Sequence, residues 1–186
     1  LELQRLSYRY AKYVDRRDIQ NAAKKGDELA ELAIEIEAYR LRKYIGAYMA
    51  SLQRVDAIVS TPGVGERGQL IREKAVEGLE FMGIHLDKHR NSISRTKNAE
   101  TIISTDDSPT KIFVVPTDEE LVMTEDTYAL MQGSYDVHTK FTYSFQDPAY
   151  LNKERNGCID KDIGELEGLE DILAMDRVPQ QAGNPE

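Results

Sequence analysis

Val55-Asp56-Ala57-Ile58-Val59-Ser60, followed at once by Thr61-Pro62-Gly63-Val64-Gly65-Glu66, is the stretch from which the fold can be read. A short apolar, β-branched run stops at a cluster of proline and glycines. Beyond it Leu70, Ile71, Ala75, Val76 and Leu79 recur at helical spacing. The order is strand, glycine loop, helix, because apolar side chains return every three to four residues only when the backbone is helical. Gly83, just past Phe81 and Met82, reads as the left-handed C-cap of that helix.

Downstream, the polar stretch from Lys88 to Ala99 reads as a loop. Ile112-Phe113-Val114-Val115 is a continuous apolar strand, expected to be buried on both faces, and Pro116 ends it. Thr117 to Met131 is a helix whose start looks like a capping box, with Thr117 as N-cap and Glu120 three residues on. Upstream, Asp18 to Leu52 is helical, broken at Gly26-Asp27. Its longer second piece carries Leu29, Leu32, Ala33 and Ile36 on one face and Tyr44, Ile45, Tyr48, Met49 and Leu52 on a rotated one, which predicts burial on two sides. Strands alternating with helices imply an α/β domain with at least part of its sheet parallel.

The pattern changes after Gly133, where aromatic and polar residues mix. Gly164 to Met175 is expected to form one short amphipathic helix, and Pro179 to Glu186 to be disordered. Most of the net charge of −9 lies in this tail, and the body is nearly balanced. An acidic chain without clustered Lys and Arg is a poor partner for nucleic acid, whose phosphates need such clusters. No run approaches the roughly 18 apolar residues that cross a bilayer, and Leu1 to Tyr10 lacks the apolar stretch of a secretory signal, so no membrane association and a cytoplasmic location are expected. Cys158 is the single cysteine and reads as a bystander. His85, His89 and His138 show no metal or triad spacing and read as surface residues.

Three places could carry chemistry. Gly63-Val64-Gly65-Glu66 has the ingredients of an anion site, since glycines let backbone amides approach a phosphate and a helix follows. A plain strand-to-helix turn uses the same glycines. Asp118-Glu119-Glu120 stands where a strand gives way to a helix, a common ligand position in α/β proteins. Complementing the helix dipole explains Asp118 and Glu120 but leaves Glu119 free to hold a magnesium-bound phosphate. Asp15-Arg16-Arg17-Asp18 opens the first helix, where local chemistry favours an N-cap among ordinary solvated charges.

Taken in order, the segments Val14-Asp15-Arg16-Arg17-Asp18-Ile19, Lys43-Tyr44-Ile45-Gly46-Ala47-Tyr48, Gly63-Val64-Gly65-Glu66, Ile71-Arg72-Glu73, Glu77-Gly78-Leu79-Glu80-Phe81-Met82-Gly83-Ile84, Ser104-Thr105-Asp106-Asp107 and Pro116-Thr117-Asp118-Glu119-Glu120-Leu121 closely resemble the C-terminal part of the acetate kinases over about Tyr13 to Met131. The resemblance implies a partial ribonuclease-H-like, actin-like ATPase domain with a mixed sheet and flanking helices. It implies ATP or ADP with magnesium as ligands, acetate or acetyl phosphate as the acyl partner, and a homodimer. It places Asp15, Arg16 and Arg17 beside ribose and adenine, Val64 and Ile71 at the adenine, Gly63 and Gly65 near sugar and phosphates with Glu66 and Arg67 in the same loop, and Glu119 at the metal.

Where the family usually reads Gly-Gly-Ile-Gly-Glu-Asn, this chain has Pro62-Gly63-Val64-Gly65-Glu66-Arg67. Pro62 removes an amide donor, and Arg67 either grips a phosphate or fills the pocket. The family's acetate pocket, transfer-site arginines and catalytic aspartate lie upstream of the resemblance. The chain is therefore expected to be a truncated, split or misread version of a longer gene product, inactive alone, with residues 1–12 a divergent leader, 13–132 the nucleotide-binding part and 133–186 an acidic, partly disordered tail. A propionate or butyrate kinase, a diphosphate-using relative and a non-catalytic interaction module are the alternatives.

Overall fold

The computed structural model describes residues 13, 15–61, 63–147, 149–150 and 152–174, and the side chains of Val64 and Arg67 are not described. The expected leader over 1–12, the expected disorder of Pro179 to Glu186, Val14 and Pro62 lie outside the described residues.

Helix α1 (Arg16–Ala23) starts at Asp15, whose carboxylate accepts from the Arg17 amide at 2.7 Å. Gly26 turns the chain with φ +85°, and Asp27 caps α2 (Glu28–Leu52) by accepting from the Leu29 and Ala30 amides. The break at Gly26-Asp27 falls where the sequence placed it. Ala30, Ile34 and Ala38 pack on Ile19 and Ala22 of α1 and on Ile71, forming one core cluster, with small residues letting the helices approach closely. Further along α2, Ile45 and Met49 reach a second cluster on the sheet. The expectation of a helix buried on two sides is corrected: Leu29, Leu32, Tyr44, Tyr48 and Leu52 are exposed. Only one stripe of α2 is covered by described residues, because α1 is eight residues long and the sheet meets just the far end.

Strands β1 (Ala57–Ser60), β2 (Thr101–Ile102) and β3 (Lys111–Val114) form a mixed sheet of order β1-β3-β2, with β1 parallel and β2 antiparallel to β3. Ile112 and Val114 enter the second core with Val76, Leu79, Ile84 and Ile103, whereas Phe113 on the other face is only half-buried. The expected burial on both faces therefore gives way to alternation. Past β2 an antiparallel bridge joins Thr101 to Leu173, and the Ala174 amide donates to the Glu100 carbonyl at 2.9 Å.

Between β1 and β2 lie α3 (Val64–Arg67), α4 (Gln69–Val76) and α5 (Lys88–Ile93). Helix α5 falls inside the expected loop; Asp87 caps it by accepting from the Arg90 amide, and its polar sequence hides the helical period. Gly83 is left-handed as expected but closes the short 3-10 turn Glu80–Met82, since α4 ends at Val76. Helix α6 (Glu119–Gln132) is capped by Asp118, which accepts from the Leu121 amide at 3.0 Å. This shifts the start by one residue from the expected Thr117 and Glu120 box. In the tail, α7 (Lys153–Glu165) enters the expected helix of Gly164 to Met175 only at Gly164 and Glu165. Gly168, with φ +82°, replaces that helix with a turn over Glu170–Ile172. Leu169 and Ile172 bury with Ile159 against Ile93 and Ala99, so this part of the tail packs on the body.

Candidate functional site

Parallel pairing of β1 and β3 decides which loops meet. Ser60 stands opposite Val114, and the Val115 amide donates to the Ser60 carbonyl at 2.9 Å, so both strands end at one edge of the sheet. The segments leaving that edge are the glycine loop after β1 and Thr117 to Glu119 after β3. Open α/β sheets bind ligands at the C-terminal ends of their parallel strands.

Gly63 adopts φ +75° and ψ −107°, a conformation that costs any residue with a Cβ, and opens the single turn α3. A Cβ on Gly65 would stand 3.4 Å from the Cα, carbonyl carbon and Cβ of Ser60, so α3 sits directly on the end of β1. Glu66 is buried. Behind the loop is a group to which the sequence reading gave no site role, Arg72, 5% exposed. Its Nη1 donates to the carbonyls of Gly65 and Glu66 at 2.8 and 2.6 Å, and its Nε to Asn91 Oδ1 at 2.8 Å. Burial lowers its pKa to about 10, partly offset by the charge of Glu66, so the guanidinium stays protonated at neutral pH.

Ile71, one residue earlier, is 2% exposed and packs in the core with Ile19 and Ile34, a floor beneath this region rather than an open wall. Through that contact α4 is joined to α1, which carries the other expected nucleotide residues. There Asp15 accepts from Arg17 Nη2 at 2.6 Å as well as from the Arg17 amide, and the Arg17 side chain first and its amide second hold the carboxyl down at about 2. Arg16 pairs with Glu37 of α2 at 3.0 Å. Both arginines are thus engaged within the chain.

Glu119, the first residue of α6, is exposed and lines a cleft of about 310 Å³. Thr117, Asp118, Leu121 and Val122 complete one wall, and Phe145, Tyr150, Asn152 and Arg155 from the tail form the other. That tail wall was not legible in the sequence. Asp118 is committed: Oδ1 caps α6 and Oδ2 accepts from Asn152 Nδ2 at 3.1 Å. Arg155 is tied to the Pro116 and Lys97 carbonyls, each at 3.0 Å. Glu119 lines the same cleft without a capping role. Among the described residues no group of three His, Cys, Asp or Glu is placed to hold a metal. The donor set suits a hard cation that keeps its waters and is bound mostly through phosphate, since such an ion needs only one or two carboxylates.

Of the remaining candidates, His89 and His138 are exposed and His85 is half-buried, its Nε2 3.2 Å from the Glu80 carbonyl. Cys158 is exposed on α7. No described helix is long and apolar enough to cross a membrane.

Solved structures with this arrangement are short-chain acyl kinases of the actin-like ATPase fold. The crystal structure of Porphyromonas gingivalis acetate kinase is 40% identical with a TM-score of 0.59, over 67% of this chain and 31% of that one. A propionate kinase from Francisella tularensis is 36% identical with a TM-score of 0.53, over 61% and 28%. The sequence profile of the acetokinase family matches residues 11–125, more than half of the chain, and the chain belongs to that family. Acetate kinase of Treponema pallidum is 59% identical over 163 residues, covering 87% of this chain and 36% of that protein. The chain spans about a third of the length of the curated relatives it matches.

Proposed function

We propose that this chain supplies the nucleotide and magnesium side of an acetate kinase, which reversibly moves the terminal phosphoryl group of ATP to a carboxylate oxygen of acetate. The observation that carries the reading is that the glycine loop and the segment leading to Glu119 leave the parallel strand pair at the same edge. Backbone of Gly63, Val64 and Gly65 receives the sugar and phosphates, with Glu66 and Arg67 completing the loop. Asp15, Arg16 and Arg17 exchange their internal pairs for ribose and adenine, over the floor made by Ile71. Glu119 holds magnesium through water or directly, and the ion supplies positive charge against the phosphates. Groups for acetate are assigned to the part of the relatives that this chain does not span, so the chain alone binds nucleotide without turnover.

Propionate as acyl substrate is the second reading, supported by the likeness to a propionate kinase. Pairing of two copies in the cytoplasm completes the proposal, supported by the exposed Leu41, Tyr44, Tyr48 and Leu52 along α2. The test is calorimetric titration of the folded chain with magnesium ADP, magnesium ATP and diphosphate, repeated on Gly65→Val and Glu119→Ala. Saturable ADP binding weakened by both substitutions is expected. A folded chain that takes none of the three ligands, or takes ADP equally well in all variants, would sink the assignment.

A further inference from the structure

Helix α3 is a single turn, and a single turn cannot hold itself, because it fixes several dihedrals for one or two hydrogen bonds. No side chain caps its start at Gly63, and its last carbonyls have no partner within so short a helix. Two of them, Gly65 and Glu66, receive hydrogen bonds from one guanidinium nitrogen, Arg72 Nη1. The other arms of that guanidinium reach α5: Nε donates to Asn91 Oδ1 at 2.8 Å, and Nη2 to the carbonyls of Asn91 and Ser94 at 3.0 and 3.3 Å. Asn91 Nδ2 closes the ring by donating to the Gln69 carbonyl at 3.1 Å. Asn91 is fully buried and Ser94 nearly so.

We propose that Arg72 is a positioning residue for the nucleotide loop, a buried fork that sets the height of α3 above the end of β1 by tying it to α5. The inference rests on the nucleotide reading of that loop. Arg72 lies behind the loop and acts through the Gly65 and Glu66 backbone. Its planar array of donors reaches two elements at once, which the point charge of a lysine does not. Buried guanidinium donors are left unpaired if either the loop or α5 moves away, which favours one position of the loop before any ligand arrives.

The test uses this chain with magnesium ADP as probe, hydrogen–deuterium exchange as the readout of the loop and calorimetry as the readout of binding. Arg72→Lys should speed exchange over residues 63–68, leave β1 and β3 protected, and weaken ADP binding by roughly tenfold, the factor that 1.4 kcal/mol represents. A second variant, Arg72→Met with Asn91→Leu, replaces the buried polar group by an apolar pair, a change that often preserves stability. It should melt near the wild-type temperature yet keep the fast loop exchange and the weakened binding. Wild-type loop exchange in Arg72→Lys overturns the proposal. Wild-type ADP affinity in the stable double variant also overturns it, reducing Arg72 to a core residue, as does loss of protection throughout β1 and β3 in both variants. Absence of ADP binding by the wild-type chain defeats the nucleotide reading itself, an outcome distinct from any change in the variants alone.

Discussion

Removing the Asp118 side chain separates the helix start seen in the structure from the one the sequence suggests. Asp118 Oδ1 accepts from the Leu121 amide at 3.0 Å, and Oδ2 accepts from Asn152 Nδ2 at 3.1 Å. Losing an N-cap of this kind costs ~1 kcal/mol. The second bond reaches across 34 positions to an exposed contact and adds ~0.5 kcal/mol, the low end for a net hydrogen bond. Asp118→Ala should therefore lose about 1.5 kcal/mol, and at the 2–4 °C per kcal/mol usual for chains of this size Tm should fall by about 3–6 °C. Thr117→Ala should change Tm by less than about 1 °C, as surface substitutions away from special features do. Thermal melts followed by circular dichroism, with urea titrations alongside, decide the matter. Thr117→Ala costing as much as Asp118→Ala would refute the reasoning and restore the start at Thr117.

Other outcomes can be checked on the same protein. Glu119→Gln should leave Tm unchanged and should bind ADP in the presence of a chelator as the wild type does, while losing the gain that magnesium confers; calorimetry with and without magnesium reads both. Ile112→Ala, at a site 2% exposed in the central strand, should cost ~2–5 kcal/mol in urea denaturation. The carboxyl of Asp15 is held at about 2 in the folded chain against an ordinary 3.8. Its charged contribution is thus complete above pH 4 and disappears as pH falls towards 2. The stability difference between wild type and Asp15→Asn, which keeps a capping side chain, should shrink across that window in melts from pH 5 to pH 2.

The parts legible in the sequence are those set by local chemistry. A β-branched run stopped by Thr61-Pro62-Gly63 can only be a strand meeting a turn, and the break at Gly26-Asp27 combines a positive φ with a cap. What escaped is decided by residues far apart. Arg72 sits in Ile71-Arg72-Glu73-Lys74, which resembles an ordinary charged helix face, and its burial depends on Asn91, 19 positions away. Helix α5 carries Ile93 as its one large apolar residue, so no period marks it. Both Thr117 and Asp118 are good caps, and the choice between them reflects where α6 leaves β3 and where Asn152 arrives. Within the candidate site, the glycine loop and Glu119 could be named from sequence, but their meeting on one edge needed the parallel register of β1 and β3.

The bridge from Leu173 to Thr101 gives the sheet a polarity of growth. On the β2 side the chain supplies its own stopper, with Ala174 donating to Glu100, so further strands are refused there. On the β1 side no described strand pairs, and Val59 is 52% exposed. Free strand edges template further pairing. In the language of polymer chemistry the three strands have one terminated end and one living end, and any enlargement of this sheet, by another segment or another chain, proceeds from β1.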